Sequence, residues 1–514
     1  MVSGLIETLP KYEKAMITPS VSLFQTSQIR DCERMAITDL NIKETELMAV
    51  AGRAAFEALT SLFPLAKKIV VYCGSGNNAG DGYVLALLAY QAGFHVAINQ
   101  YKSHDKLPAA AQDAAKAALA AGIPCRQYRD GPIDSDVDLI VDALLGTGLC
   151  AEVHEPLFSA INQINVSEHP VLSLDIPSGL HADTGRVMGI CVRATATITF
   201  VGQKIGMMTL DGPDYCGQIV SHDLMLSACL ATIYPAARIL DSSLATVLLP
   251  KRLKNCHKNN FGHVLVIGGG EGMPGSVCLA ALAALRVGAG VVTVATRPPY
   301  ATRAIDGLPE AMIYGIDKAD DIIPLIDRAT VCIIGPGLGT DVWATQLFNQ
   351  VIASQLPMII DAGALRILAE APQHEDNWVL TPHPGEAADL LGYSTAEIHA
   401  DRYQAVSLLQ EKYGGNVVLK GVGSMVRTDE PATFLCRAGN SGMASAGMGD
   451  VLSGVIAGLA AQGLSMADAA KLGVWLHASA ADLAVRKQGE RGLIASDLMP
   501  FLRLLVNENQ GFLP

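Results

Sequence analysis

The chain has 514 residues, 50% of them hydrophobic and 17% charged, which supplies apolar material for more than one buried core and excludes extended disorder. A formal net charge of -13 excludes a general attraction to nucleic acid or anionic lipid, so any anionic ligand has to be met by local backbone dipoles. Eleven cysteines without a C-x-x-C pair speak against a zinc site and against a disulfide framework, and so point to a reducing, cytoplasmic setting.

Met1–Lys14 lacks a basic stretch followed by an apolar one, and no apolar run reaches membrane-spanning length, so the chain is expected to be soluble and untargeted. Short β-rich runs then alternate with alanine-rich helical patterns, as in a parallel sheet with crossover helices. Strands are expected at Lys68 to Cys73, Leu139 to Val141, Val171 to Asp175 and Thr197 to Val201, with a helix after Asp81 through Val84, Leu85 and Leu88. From Leu224 to Lys258 the alternation lapses, ending in Lys251, Arg252, Lys254, His257 and Lys258, a basic group expected to be solvated. The rhythm restarts at His263–Gly270 and continues at Val331–Gly337, Met358–Gly363, Trp378–Thr381 and Asn416–Gly421. The expected organisation is therefore α/β in two domains, 1–228 and 259–514, joined by a connection at 229–258.

Behind the first strand lies Gly74-Ser-Gly-Asn-Asn-Ala-Gly-Asp-Gly82, where glycines let main-chain N–H groups approach a ligand and a helix start leaves donors unpaired. The spacing is not that of the dinucleotide fingerprint, and glycine turns after strands are common, so the adjoining amides and carboxylate carry the functional meaning. Asp142-Ala-Leu-Leu-Gly-Thr-Gly148 and Asp175-Ile-Pro-Ser-Gly179 each put a carboxylate at the C-terminal end of an apolar strand, the edge where open α/β sheets bind ligands. Either aspartate could simply cap its own turn. Two at one sheet edge also form an oxygen-rich cluster suited to a hard or alkali cation.

In order, and together with Lys204-Ile-Gly206, these motifs resemble the NAD(P)HX epimerase family, the YjeF N-terminal domain, over residues 20 to 225. The resemblance implies a Rossmann-like three-layer αβα sandwich that interconverts the R and S forms of hydrated NADH and NADPH. It implies potassium at Asn78, Asp142 and Ser178. Substrate contacts are implied at Asn77, Asn78, Ala79, Gly80 and Asp81, at Gly146, Thr147, Gly148, Leu149, Cys150, Ala151 and Glu152, and at Asp175. Epimerisation at the hydrated ring carbon needs proton or hydroxide traffic, for which Asp175 is the expected group. Lys204 is a second catalytic candidate, although a lone lysine after a strand is commonly a solvated surface group. The family usually has N-N-G-G-D; Ala79 replaces the first glycine, and a positive φ there would strain the loop by about 1 kcal/mol.

In the second half, Gly439-Asn-Ser-Gly-Met-Ala-Ser-Ala-Gly-Met-Gly-Asp-Val-Leu-Ser-Gly454 combines a small-residue loop with a helix start near Asp450, so loop amides and helix dipole aim at one point. Glycine-rich helix packing would explain the small residues but not the aspartate. The helix start resembles the ribokinase-like fold, in which the aspartate is the base facing a substrate hydroxyl. With Gly335-Pro-Gly-Leu-Gly339, Thr381-Pro-His-Pro-Gly-Glu386 and Lys420-Gly-Val-Gly-Ser424, the resemblance narrows to the ADP- or ATP-dependent NAD(P)HX dehydratases, over residues 240 to 505. It implies nucleotide contacts at Lys420, Gly421, Val422, Gly423, Ser424 and Gly449, and hydrated nicotinamide contacts at Gly337, His383 and Asp450. Ala446 stands where the family has a glycine.

The expected partners are therefore NADHX, NADPHX and ADP or ATP with Mg2+, with K+ in the first half, no nucleic acid and no membrane, in a homo-oligomer. A small-molecule kinase with a non-catalytic first half is the competing expectation, because the ribokinase-like fold does not choose its substrate. The oxygen cluster of Asn78, Asp142 and Ser178 beside Asp175 speaks against a mere scaffold.

Overall fold

The computed structural model describes residues 21–507, and the expectation for Met1–Lys14 lies outside the described residues. The first sheet holds seven parallel strands in the order Cys125–Gln127, His95–Gln100, Lys68–Cys73, Leu139–Ala143, Val171–Leu174, Ala196–Phe200 and Gln218–His222. Side-chain alternation puts Ile69, Val71 and Cys73 in the core shared with helices Glu44–Leu62, Asn77–Gln91 and Ala109–Ala120. Val70 and Tyr72 face the other layer, with helix Leu157–Val166. Chain order reverses at Lys68–Cys73, so a crevice opens beyond the carboxyl ends of Lys68–Cys73 and Leu139–Ala143.

The helix expected after Asp81 starts earlier. Gly76, extended at φ -114°, caps Asn77–Gln91, so Asn77 to Asp81 form its first turns. Ala79 is therefore helical and fully buried, and the strain considered for that position does not arise.

A second sheet has twelve strands. Met312–Gly315, Val291–Thr296, His263–Ile267, Val331–Ile334, Met358–Ile360, Trp378–Leu380 and Asn416–Leu419 run parallel, followed antiparallel by Ser424–Arg427 and then Thr433–Cys436. Val264 and Val266 pack under helices Pro274–Val287, Met448–Ala461 and Met466–Gln488, while Leu265 and Ile267 pack under Val342–Ala353 and Ala362–Glu370. Its reversal point, beside His263–Ile267, makes a second crevice.

The segment 229–258 is more than a connection. Its strand Ala237–Ile239 pairs in parallel with Thr433–Cys436 and antiparallel with Ser22–Phe24, which in turn pairs with Gln203–Lys204. Three first-half or connecting strands thus extend the second sheet, and one hydrophobic cluster joins Leu23, Ile176, Met207 and Met208 to Leu265, Leu380 and Met425. Strands of two or three residues carry too few alternations to show in a sequence pattern. The basic group at 251–258 is exposed as expected, with Arg252 stacked over Phe261 at 3.7 Å.

Candidate functional sites

At the first crevice, strand Leu139–Ala143 delivers Asp142 into a fully buried position. Its carboxylate accepts from Ser178 N (2.9 Å), Ser178 Oγ (2.5 Å), Ser173 Oγ (2.8 Å) and Leu144 N (3.2 Å). Burial raises its pKa, and these donors offset only part of the rise. Asn78 Nδ2 donates to Leu145 O at 3.0 Å, which leaves Asn78 Oδ1 buried without a hydrogen-bond partner. An orphaned oxygen is costly unless something positive meets it. Together with Ser178 Oγ and the Asp142 carboxylate it makes a donor set that suits an alkali cation.

Lys204 is not on the surface. It is fully buried, and its Nζ donates to Asp175 Oδ1, to Thr199 Oγ1 at 2.8 Å and to Phe200 O at 2.9 Å, which replaces the water an exposed ammonium would have. Asp175 has φ +65°, an uncommon conformation for a residue with a Cβ, at a turn tied by Ile176 N to Leu174 O. Gly146 lets the second loop approach: a Cβ there would lie 3.3 Å from Asn78 Cβ and 3.7 Å from Asp175 Oδ2.

Two more carboxyls face this pair. Burial, and then the Asp175 and Glu33 charges, push Asp81 well above the usual carboxylate range. Burial and Asp175 likewise raise Glu33, against the lowering effect of Lys204 and Arg30. Glu33, on helix Thr26–Asp39, escaped the sequence reading because it sits in a charged run, Arg30 to Arg34, that looks like an ordinary solvated face. The helix Asn77–Gln91 has no side-chain N-cap, so its first amides stay open to an anion at the crevice. The structure brings Asn78, Asp81, Gly146, Asp175, Ser178 and Lys204 around one crevice. Gly148, Cys150, Ala151 and Glu152 lie exposed on its rim, where Glu152 pairs with Arg186 at 3.0 Å and Thr147 O accepts from Arg30 at 3.4 Å.

At the second crevice, Gly447 (φ +87°) turns the chain into helix Met448–Ala461 and places Asp450 in its first turn. A Cβ on Gly449 would stand 3.2 Å from Lys420 Nζ and 3.8 Å from Asp361 Oδ2, so the glycine leaves room above a buried ion pair. Lys420 Nζ lies 3.1 Å from Asp361 and 3.7 Å from Glu386, and Ser453 Oγ donates to Asp361 at 2.8 Å. Burial alone would raise Asp361, but Lys420 and the hydroxyl donors outweigh it and hold the carboxyl below its ordinary value. Burial works against the Lys420 charge too, and Asp361 and Glu386 reverse that to leave it raised. For Asp450, burial and the Asp361 charge push the pKa up to about 6, against Ser276 and Lys420.

His383 caps helix Pro384–Leu391: its Nδ1 accepts from Gly385 N (3.0 Å) and Glu386 N (3.2 Å), so a neutral ring carries its proton on the half-exposed Nε2. Gly337 (φ +60°) is buried where its carbonyl accepts from Gly270 N at 2.6 Å. The glycines of helix Met448–Ala461 divide by task. A Cβ at Gly454 would meet Ala280 O at 2.1 Å, and one at Gly458 would meet Ala284 O at 2.7 Å, which is close helix packing, while Gly447 and Gly449 shape the site. Asp361, Glu386 and Ser453 were not singled out as site residues. Asp361 carried the same signal as Asp142 and Asp175, a carboxylate ending an apolar strand, here Met358-Ile-Ile-Asp361.

Fold and sites define a two-centre α/β enzyme, each centre at the C-terminal edge of parallel strands with raised carboxyls beside open backbone donors, Asp142, Asp81 and Glu33 at the first and Asp450 at the second. Residues 44–206 match the family described as YjeF-related protein N-terminus, and residues 264–502 match NAD(P)H-hydrate dehydratase. The chain is 48% identical over 486 residues to the bifunctional NAD(P)H-hydrate repair enzyme Nnr of Coxiella burnetii, covering 94% of this chain and 99% of that protein. To the Escherichia coli protein of the same name it is 40% identical over 486 residues, covering 95% and 94%. A solved ADP/ATP-dependent NAD(P)H-hydrate dehydratase from Bacillus subtilis superposes with a TM-score of 0.48 at 27% identity, over 53% of this chain and 98% of that one. The chain belongs to the family of bifunctional NAD(P)H-hydrate repair enzymes, epimerase and dehydratase in one polypeptide. The kinase alternative is not favoured.

Proposed function

We propose that the first crevice epimerises hydrated NADH and NADPH and that the second dehydrates the S form at the expense of ADP, with ATP as the other candidate nucleotide, giving AMP and phosphate from ADP. The observation that carries this is Asp450, a carboxyl raised to about 6 at an open helix N-terminus beside the Lys420–Asp361 pair. Near neutral pH it is ionised yet basic enough to accept a hydroxyl proton. The substrate hydroxyl loses that proton to Asp450 as its oxygen bonds to the transferred phosphorus and the bond to the AMP oxygen breaks. The ring nitrogen then expels phosphate, and loss of a proton from the adjacent carbon restores the dihydropyridine. Hydroxide would leave far less readily than phosphate.

Lys420 and the Gly421–Ser424 amides would hold the nucleotide phosphates, and Gly449 leaves space for them above the ammonium. Gly337 and His383 Nε2 would contact the nicotinamide. Among the described residues no group of three or more His, Cys, Asp or Glu is placed to hold a metal ion, so magnesium would be held largely by the nucleotide's own oxygens, a common arrangement for that ion. In the first crevice Asn78, Asp142 and Ser178 would hold potassium, whose charge would help fix the anionic substrate. Asp175, its carboxylate set by Lys204, would serve the ring carbon, with the free amides of Asn77 and Asn78 at the helix start on the pyrophosphate.

Incubation of both epimers with ADP, followed at 340 nm, tests both halves. Full recovery of absorbance is expected in the intact chain, and recovery of only one epimer in Asp175→Asn. Full dehydratase turnover in Asp450→Asn would contradict the assignment of the base.

A further inference from the structure

The loop Lys420–Ser424 is held from behind by its own carbonyls. Arg402, 1% exposed on helix Arg402–Tyr413, donates from Nη1 to Lys420 O at 3.3 Å and from Nη2 to Gly423 O at 3.4 Å. Of the two carbonyls between them, that of Gly421 accepts from Ser424 Oγ at 2.9 Å within the loop, and that of Val422 is met from the first half of the chain, by Thr209 Oγ1 at 3.1 Å and Leu210 N at 3.3 Å. Thr209 is 1% exposed and follows the turn Ile205–Met208, which begins directly after Lys204. That turn is itself fixed, with Gly206 N donating to Ala182 O at 2.7 Å and Asp211 N to Gly185 O at 3.1 Å.

A trans peptide is planar, with its C=O and N–H on opposite edges. A carbonyl pinned toward Arg402 or Thr209 therefore turns the following amide, that of Gly421, Gly423 or Ser424, the other way. Successive amides facing one side make an anion-binding nest. Contact between turn and loop is backbone to backbone: Gly423 has φ +64°, and a Cβ on it would lie 2.2 Å from Met208 O and 2.9 Å from Thr209 Cα. Glycine at this position is thus required by the first half of the chain as well as by the loop conformation.

We infer that Thr209 is a positioning residue of the dehydratase: it orients the Val422–Gly423 peptide so that the nucleotide phosphates meet preformed donors, and the first half completes the nucleotide loop of the second. This rests on the assignment of the nucleotide to Lys420–Ser424. Donors held in place beforehand lower the ordering cost of binding, so the effect falls on nucleotide affinity and not on turnover at saturation.

The test uses the full chain with ADP, measuring Kd by calorimetry and KM and kcat in the dehydratase assay. Thr209→Val is expected to raise Kd and KM for ADP about five- to tenfold, the worth of one hydrogen bond, with kcat within about twofold. Thr209→Ala, which removes the hydroxyl without a branched replacement, gives the same rise, and Thr209→Ser restores affinity. Thr209→Val with an unchanged Kd, a fall in kcat at constant KM, or Thr209→Ser behaving like Thr209→Val would each overturn the inference. Lys420→Ala separates the two levels. If it weakens ADP binding while Thr209→Val does not, only the positioning role fails; if it leaves binding untouched, the nucleotide assignment fails as well.

Discussion

Asp450, as the proposed base, would tie catalysis to stability through one proton. Burial first, and then Asp361, lifts its pKa from the ordinary 3.8 to about 6, so the folded chain holds this proton more tightly than the unfolded chain. Between those two values the native state binds more protons, and stability falls as pH rises through the window and stays lower above it. Asp450→Asn removes the charge and is expected to raise the unfolding temperature at pH 8 while lowering dehydratase kcat by about 10²-fold or more. The wild-type pH profile should show an acid limb near pH 6 in dehydratase kcat/KM. A flat profile down to pH 5 would remove Asp450 as the base. Lys204 poses the opposite case, a cation buried against Asp175. Lys204→Gln leaves that carboxylate without its partner, and epimerase activity should drop by about 10²-fold while dehydration of the S form continues, measured by following each epimer separately. The place of Asp450 at a helix start was legible because a carboxylate amid glycines has no packing purpose. The burial of Lys204 was not, because Thr199, Phe200 and Asp175 meet it only through the fold.

At the scale of elements, the helix Asn77–Gln91 sets which backbone amides face the first crevice. Its start at Asn77 makes Ala79 a buried helical residue, so Ala79→Gly, a change toward the usual family residue, should destabilise the chain by about 1 kcal/mol, read from the urea midpoint. An increase in stability would mean that the position is strained after all. Strand ends at Cys73, Ala143 and Leu174 lie within a residue or two of where apolar runs stop, since a parallel strand buried on both faces leaves a continuous hydrophobic record. The helix start was misplaced because Gly74 to Gly82 contains four residue types that favour turns, Gly, Ser, Asn and Asp, and capping by the backbone of Gly76 leaves no side-chain signature. Asp361 shows a different limit. Its strand end was visible, yet only the approach of Lys420 at 3.1 Å, from a strand two places away in the sheet, makes it part of a site.

The whole molecule departs furthest from a picture of two independent halves. Ser22–Phe24, Gln203–Lys204 and Ala237–Ile239 form one edge of the second sheet, and a single hydrophobic cluster draws residues from Leu23 to Leu435. Burying apolar surface across a boundary couples the stabilities of the parts on either side, because neither can open without exposing the other. The intact chain should therefore lose the structure of both sheets together in urea. Cut between residues 228 and 229, the fragment 229–514 would keep Ala237–Ile239 as its outermost strand, with the edge that Ser22–Phe24 covers in the full chain left open. Such an open edge favours association between copies. The expected outcome is that 229–514 expressed alone is less stable than the second sheet in the full chain and aggregates as it unfolds, and that coexpression with 1–228 rescues it. Tryptophan emission reports the second half specifically, since Trp343, Trp378 and Trp475 all lie there. If that emission changes at the same urea midpoint in the fragment as in the full chain, the shared edge contributes little and the halves fold as separate units.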